Sequence, residues 1–330
     1  MPGEADRRIE DWRRTPAAEL AEMAWRERMS NFPARLFASA PGAKRYHNAF
    51  FASRSRSFVN LTVTGEACAL GCDHCRGKLL QTMVSVADPA ELVSRAEDLR
   101  RDGAKGVLLS GGCTSDGRVP LDGHLEAIAK VKEMGLTVLV HGGLVERETA
   151  RGLKAAGVDQ VLLDVIGDEE TIRQVYHLDR TPDDYRRTLE ILREEELEAV
   201  PHIVLGLKFG RLGGEYRALE MITSTQPAHI VLVSLQPLPG TPMEAAPVTA
   251  GAELGRLAAI ARLLNRTVPI SLGCARPAGE GKDEMEIGAV AAGVNGVAYP
   301  AEGTVRYARG RGLEVEFAEV CCSLLGARQA

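Results

Sequence analysis

The chain has 330 residues, of which 45% are hydrophobic, 26% charged and only 5% aromatic, a composition that excludes disorder and points to an ordinary folded core. A net charge of -5 gives no general reason to expect nucleic acid as a partner, since such binding announces itself with a basic domain. No apolar run approaches the roughly 20 residues of a membrane span. The start, MPGEADRRIEDWRR, lacks the apolar core of a secretory signal, so the cytoplasm is the expected compartment and neither a membrane nor a nucleic acid is an expected partner.

Residues 1–56 read as an Arg-rich helical extension. From Ser57 onward, short runs rich in Val, Ile and Leu alternate with amphipathic stretches, the pattern of parallel strands buried on both faces. Eight such runs follow: SFVNLTVTG, GVLLSGG, LTVLVHGG, QVLLDVIG, EAVPHIVLGL, HIVLVSLQP, VPISLGC and GVNGVAYP. Between them, DPAELVSRAEDLRRDG and TPDDYRRTLEILREEE open with Asp or Thr caps and Pro at the first turn, which is helix chemistry. Eight βα units predict an α/β fold, a (β/α)8 TIM-type barrel over residues 57–312, with its active site at the carboxyl ends of the strands. A doubly wound open sheet is the alternative. Residues 313–330 are expected to close the barrel mouth.

Seven cysteines, an odd number in a chain expected to be cytoplasmic, argue for metal or redox chemistry rather than a disulfide framework. The first strand is followed by GEACALGCDHCRGK, in which Cys68, Cys72 and Cys75 make CxxxCxxC. Three thiolates from one loop ligate three corners of a cubane and leave the fourth iron open. Zinc wants four ligands, and His74, the only nearby candidate, is expected to point elsewhere.

This motif resembles that of the radical SAM superfamily, in which the spacing follows the first barrel strand and the residue before the last cysteine is commonly aromatic; here it is His74. The resemblance implies a [4Fe–4S] cluster on Cys68, Cys72 and Cys75 whose open iron binds S-adenosylmethionine (SAM). It also implies SAM contacts at matching positions. Gly111 and Gly112, in LLSGGC, resemble the turn that receives the methionine amino group, although paired glycines by themselves merely turn a chain. Asp164 is similar to the strand-end residue that binds the ribose hydroxyls, Gly206 to the glycine beside adenine, and Arg180 to a residue that reaches the methionine carboxylate. His141, His202 and Asn295 stand at strand positions and take no assigned role.

Four cysteines remain. Cys113 ends the second run, Cys274 the seventh, and Cys321 and Cys322 lie in LEVEFAEVCCSLL. Individually each reads equally as a small buried hydrophobe. Together they are expected to supply a second iron–sulfur cluster, held by Cys113, Cys274 and one or both of Cys321 and Cys322, with Arg276 or solvent nearby.

The set CxxxCxxCRGK, SGGCTSDG, DVIGDEETIRQVYHLDRT, LGCARP, AGVNGVAYP and the late CysCys pair resembles the biotin-synthase-related branch, and within it the two-component lipoyl synthases of archaea and some bacteria. That resemblance implies a sulfurtransferase that inserts sulfur at an unactivated C–H bond of an octanoyl chain on a carrier protein. It further implies a low-potential donor such as ferredoxin or flavodoxin, and a second radical SAM subunit. Arg54, Arg56, Arg76 and Lys78, beside the cysteine loop, are candidates for steering an acidic partner. The alternative is a radical SAM enzyme that rearranges, methylates or matures a cofactor without sulfur insertion; a non-catalytic metal-binding scaffold is the third reading.

Overall fold

All eight expected strand runs are strands, and three further strands join them. In chain order they are β1 (Arg35–Ser39), β2 (Phe58–Thr62), β3 (Val84–Ser85), β4 (Gly106–Ser110), β5 (Thr137–His141), β6 (Gln160–Asp164), β7 (Ala199–Leu205), β8 (Ile230–Ser234), β9 (Ile270–Leu272), β10 (Gly296–Ala298) and β11 (Glu314–Ala318). They come from a computed structural model that describes residues 4–249, 251–279 and 281–324.

The strands form one sheet in the order β11-β1-β10-β9-β8-β7-β6-β5-β4-β2-β3, and every pairing within it is parallel. Parallel neighbours need a crossover, and helices such as Pro89–Arg101 and Pro182–Glu194 supply it on the outer face. The Asp88 side chain caps the first of these, and Thr181 with Asp184 forms a capping box on the second, each with Pro in the first turn. The central strands are buried on both faces, β8 along its whole length, which explains their uninterrupted apolar runs.

The sheet curls. Phe58, Leu139, Leu162, Val200, Val231, Val233 and Ala298, from strands β2, β5, β6, β7, β8 and β10, pack together on its concave side. Among the described residues the two edge strands, β11 and β3, do not pair with each other, so the TIM-type barrel is an open, curled one.

The extension is helical only through Asn31, with helices Glu4–Arg14 and Ala17–Asn31; β1 then inserts between β10 and β11. A wholly helical extension is therefore corrected: RLFAS is a strand because four of its five residues are buried in the sheet. The C-terminal segment also departs from a simple lid. After β11 it turns into the concave side, where the Ser39 hydroxyl donates to Val320 O (2.6 Å) and Cys322 joins the interior cluster. Residues 325–330 of that segment lie outside the described residues. Among the described residues no helix is long and apolar enough to cross a membrane.

Candidate active site

The cysteine loop leaves β2 and is pinned from two sides. Ala69 N donates to Cys113 O (2.8 Å), and Asp73 N donates to Val175 O (2.8 Å). Within the loop, Cys75 N and Arg76 N both donate to Cys72 O. These bonds turn the chain so that Cys68, Cys72 and Cys75 share one neighbourhood, with Cys72 buried and the other two partly exposed.

The thiols are already polarised. A hydrogen bond from Cys72 lowers the Cys75 thiol to about 4; burial opposes this, while His74 and the Gly77 backbone add to it. That same bond with Cys75, together with burial, pushes the Cys72 thiol up. His74 thus turns toward Cys75, not away from it as expected, and its ring lies 5.1 Å from that of Tyr176. The physical reason is that the segment Val175–His177 packs across the loop and leaves the imidazole this side to occupy.

Gly112 is a close-approach glycine. A Cβ there would stand 1.9 Å from Ala67 O and 2.6 Å from the Cys68 Cα, so only hydrogen lets β4's exit pass behind the loop. Its N–H donates to Thr64 Oγ1 (2.7 Å), and Gly111 lies against the same threonine. Asp164 ends β6 with Oδ1 3.6 Å from Nε2 of His141, whose ring meets that of His202 edge-on at 5.7 Å. Burial works to raise the Asp164 carboxyl, but His141, His202 and His74 outweigh it and leave it below its ordinary value.

Arg180 reaches the turn after Cys113, with Nε 3.4 Å from Asp116 O. Gly206 has φ +81°, and its N–H donates to Oε1 of Glu215 (2.9 Å), whose Oε2 accepts from Gly213 N (2.6 Å). Glu215 is buried and braces this turn. Sequence reasoning did not find it, because a carboxylate that serves two backbone amides nine and two residues away carries no motif of its own.

The four remaining thiols do not form one group. Cys113 joins the loop cysteines: burial, then Cys68, Cys75 and Asp164, push its thiol up to about 12. The thiols that act on it are Cys68 and Cys75, in keeping with β4 lying beside β2, the strand that leads into the cysteine loop. Cys274, Cys321 and Cys322 make the second set. Cys322 bonds both other thiols and is itself pushed well up by them. Its bond to Cys274, with the charges of Lys44 and Arg276, lowers Cys274 to about 6 against the effect of burial. Arg276 is otherwise committed to Glu286 and to the carbonyls of Gly273 and Ala298. Cys274 is exposed by surface area although protein surrounds it, as it faces the hollow of the barrel. His141 lies within the field of Cys321 and Cys274 and so stands between the two thiol sets.

Among the described residues no three His, Cys, Asp or Glu side chains are drawn around a single metal ion. The loop nevertheless fits an iron–sulfur cluster by its donors: three thiols on one turn, the Cys75 thiol lowered by its neighbours, with Gly112 packed directly behind the loop backbone.

Residues 62–209 match the family model described as the radical SAM superfamily. A biotin synthase of Acidithiobacillus ferrooxidans is 27% identical over 247 residues, which span 72% of this chain and 76% of the relative. One from Coxiella burnetii is 28% identical over 209 residues, 63% of this chain and 64% of the relative. Among solved structures, methylornithine synthase aligns with a TM-score of 0.61 at 17% identity, covering 93% of both chains. A maturase of the [FeFe]-hydrogenase aligns at 0.64 and 12% identity, covering 95% of this chain and 71% of the other. These structural likenesses share the fold.

Proposed function

We propose that the chain, whose residues 62–209 match the radical SAM superfamily model and which is 27% identical to a biotin synthase, is a radical SAM enzyme of the biotin-synthase-related branch that inserts sulfur into an unactivated C–H bond of an octanoyl chain on a carrier protein. The observation that carries this reading is the second thiol set: Cys274, Cys321 and Cys322 converge on the concave side, apart from the loop of Cys68, Cys72 and Cys75. A radical reaction needing SAM alone has no use for three further cysteines so placed.

Cys68, Cys72 and Cys75 would hold the [4Fe–4S] cluster, which when bound supplies the electron that splits SAM into methionine and a 5'-deoxyadenosyl radical. Gly111, Gly112, Asp164, Arg180 and Gly206 would seat SAM. Cys274, Cys321 and Cys322 would hold a second cluster as the sulfur source. The chain's own task is positioning and exclusion of water rather than acid–base work. Leu108, Leu139, Leu162 and Val204 around the second set suit an alkyl chain better than a polar ring.

The partners follow from this chemistry: a low-potential ferredoxin or flavodoxin, the octanoylated carrier and a second radical SAM subunit, in a cytoplasm that keeps thiols reduced. Arg54, Arg56 and Arg76 pair with Glu319, Asp102 and Asp73, which leaves Lys78 as the candidate among these four for steering.

The test is iron and sulfide content, with Mössbauer spectra, of the anaerobically reconstituted Cys68→Ala/Cys72→Ala/Cys75→Ala variant beside wild type. Retention of about four irons, as a second cubane requires, supports sulfur insertion. A variant with no iron overturns it and leaves radical chemistry without a sulfur source. Reductive incubation of wild type with SAM and an octanoyl-lysine peptide then checks the substrate by the mass gain of sulfur.

A further inference from the structure

The C-terminal segment Glu319–Leu324 carries two of the second set's three cysteines, yet no strand pairs with it. Its carbonyls are met from elsewhere. Val320 O accepts from the Ser39 hydroxyl (2.6 Å), and Cys321 O from Leu324 N (3.1 Å). Ser323 O, next to Cys322, lies 2.7 Å from His229 Nδ1 and 3.3 Å from Gln160 Nε2. A buried carbonyl left without such partners costs about 1–3 kcal/mol, so these bonds decide where the turn can lie.

We propose that His229 is the positioning residue of the second thiol set, fixing through the Ser323 carbonyl the turn that presents Cys321 and Cys322 to Cys274. The proposal rests on the reading of that set as a cluster site. His229 is fully buried just before β8, and its other nitrogen, Nε2, lies 2.7 Å from the Ser271 hydroxyl. A carbonyl only accepts, so Nδ1 carries the proton, and Nε2 takes the hydroxyl proton of Ser271. The ring is thereby locked between β9 and the C-terminal turn in one tautomer and one orientation. Burial lowers His229 to about 4, which keeps it neutral near pH 7. A leucine would fill this volume equally well, but only a directed donor selects one carbonyl, the one beside Cys322.

The test uses the full chain in the Cys68→Ala/Cys72→Ala/Cys75→Ala background, where only the second set can bind iron. Adding His229→Leu is expected to lower bound iron several-fold and to alter the EPR signal of what remains, whereas His229→Asn, which keeps a donor near the Nδ1 position, restores both. In metal-free protein, the rate at which diamide joins Cys274 to Cys322 should fall several-fold in His229→Leu and recover in His229→Asn. If the parent binds no iron, the cluster reading fails, and the diamide rates alone judge the positioning. Unchanged iron, EPR and trapping in His229→Leu would overturn the proposal. Equal loss in the leucine and asparagine variants would also overturn it, since His229 would then be a packing residue only.

Discussion

His141 and Asp164, on the adjacent strands β5 and β6, bring Nε2 and Oδ1 to 3.6 Å and form the polar link between the two thiol sets. Burial alone would lower His141; the bond to Asp164 and the nearby Cys321 and Cys274 outweigh it, so His141 is raised above its ordinary value. A raised histidine contributes stability that is full below its unfolded pKa, about 6.5, and is lost as pH rises through the folded value. Asp164→Asn removes the largest cause of the rise and leaves burial. The expected outcome is that His141 titrates lower in this variant than in wild type, read by histidine NMR of the metal-free protein. An unchanged titration would mean that the pair does not interact in solution.

Gly112→Ala is expected to empty the first thiol set. The added methyl meets Ala67 O and the Cys68 backbone, neither of which can swing aside as a flexible side chain would. The loop must move, at about 1–3 kcal/mol for overpacking. Urea unfolding of metal-free protein should show that loss. Iron analysis should show a deficit in the first set only, because Cys274, Cys321 and Cys322 lie across the sheet.

The sheet was legible because parallel strands buried on both faces leave continuous apolar runs, and β2, β4 and β5 to β10 all have them. β1 hid in an Arg-rich stretch at five residues, and β11, EVEFA, alternates charged and apolar residues as an edge strand does. The first thiol set was legible because its ligands share one loop, so spacing along the chain is nearly spacing in space. The second was legible only as leftover cysteines. Position along the chain says that Cys113 and Cys274 both end strands, but not where around the barrel each strand stands, and that angle separates them. Glu215 and His229 act through backbone groups, those of Glu215 nine and two residues away and that of His229 ninety-four residues away, and such side-chain-to-backbone contacts leave no motif.

Arg276 and Glu286 form an ion pair whose side chains are only 3% and 0% exposed. Glu286 also accepts from Ala301 N and Thr304 Oγ1, while Arg276 holds the Gly273 carbonyl beside Cys274. Arg276→Met leaves the buried carboxylate with only the part-exposed Lys282, 3.5 Å from its Oε1, as a cation and should cost up to about 3–5 kcal/mol in urea unfolding. The double variant Arg276→Met/Glu286→Leu, which removes both charges, should recover much of that loss. If the single and double variants are equally unstable, the damage is lost packing around Gly273 rather than the unpaired charge.

His229 also gives a pH signature of its own. Its folded pKa is depressed to about 4 by burial, whereas an unfolded histidine sits near 6.5. Between these values the unfolded chain binds a proton that the native chain refuses, so the stability due to neutral His229 is full above about pH 6.5 and is lost as pH falls toward 4. The slope is about 1.4 kcal/mol per pH unit for one such group. His202 is lowered to about 4 as well, by burial and by His141, and adds a second slope of the same sign. Metal-free wild type and His229→Asn, unfolded in urea across this window, should therefore differ in slope by about 1.4 kcal/mol per pH unit. A common slope would mean that His229 charges in the native state. The ring would then be reachable by water, and the C-terminal turn would not be seated against it.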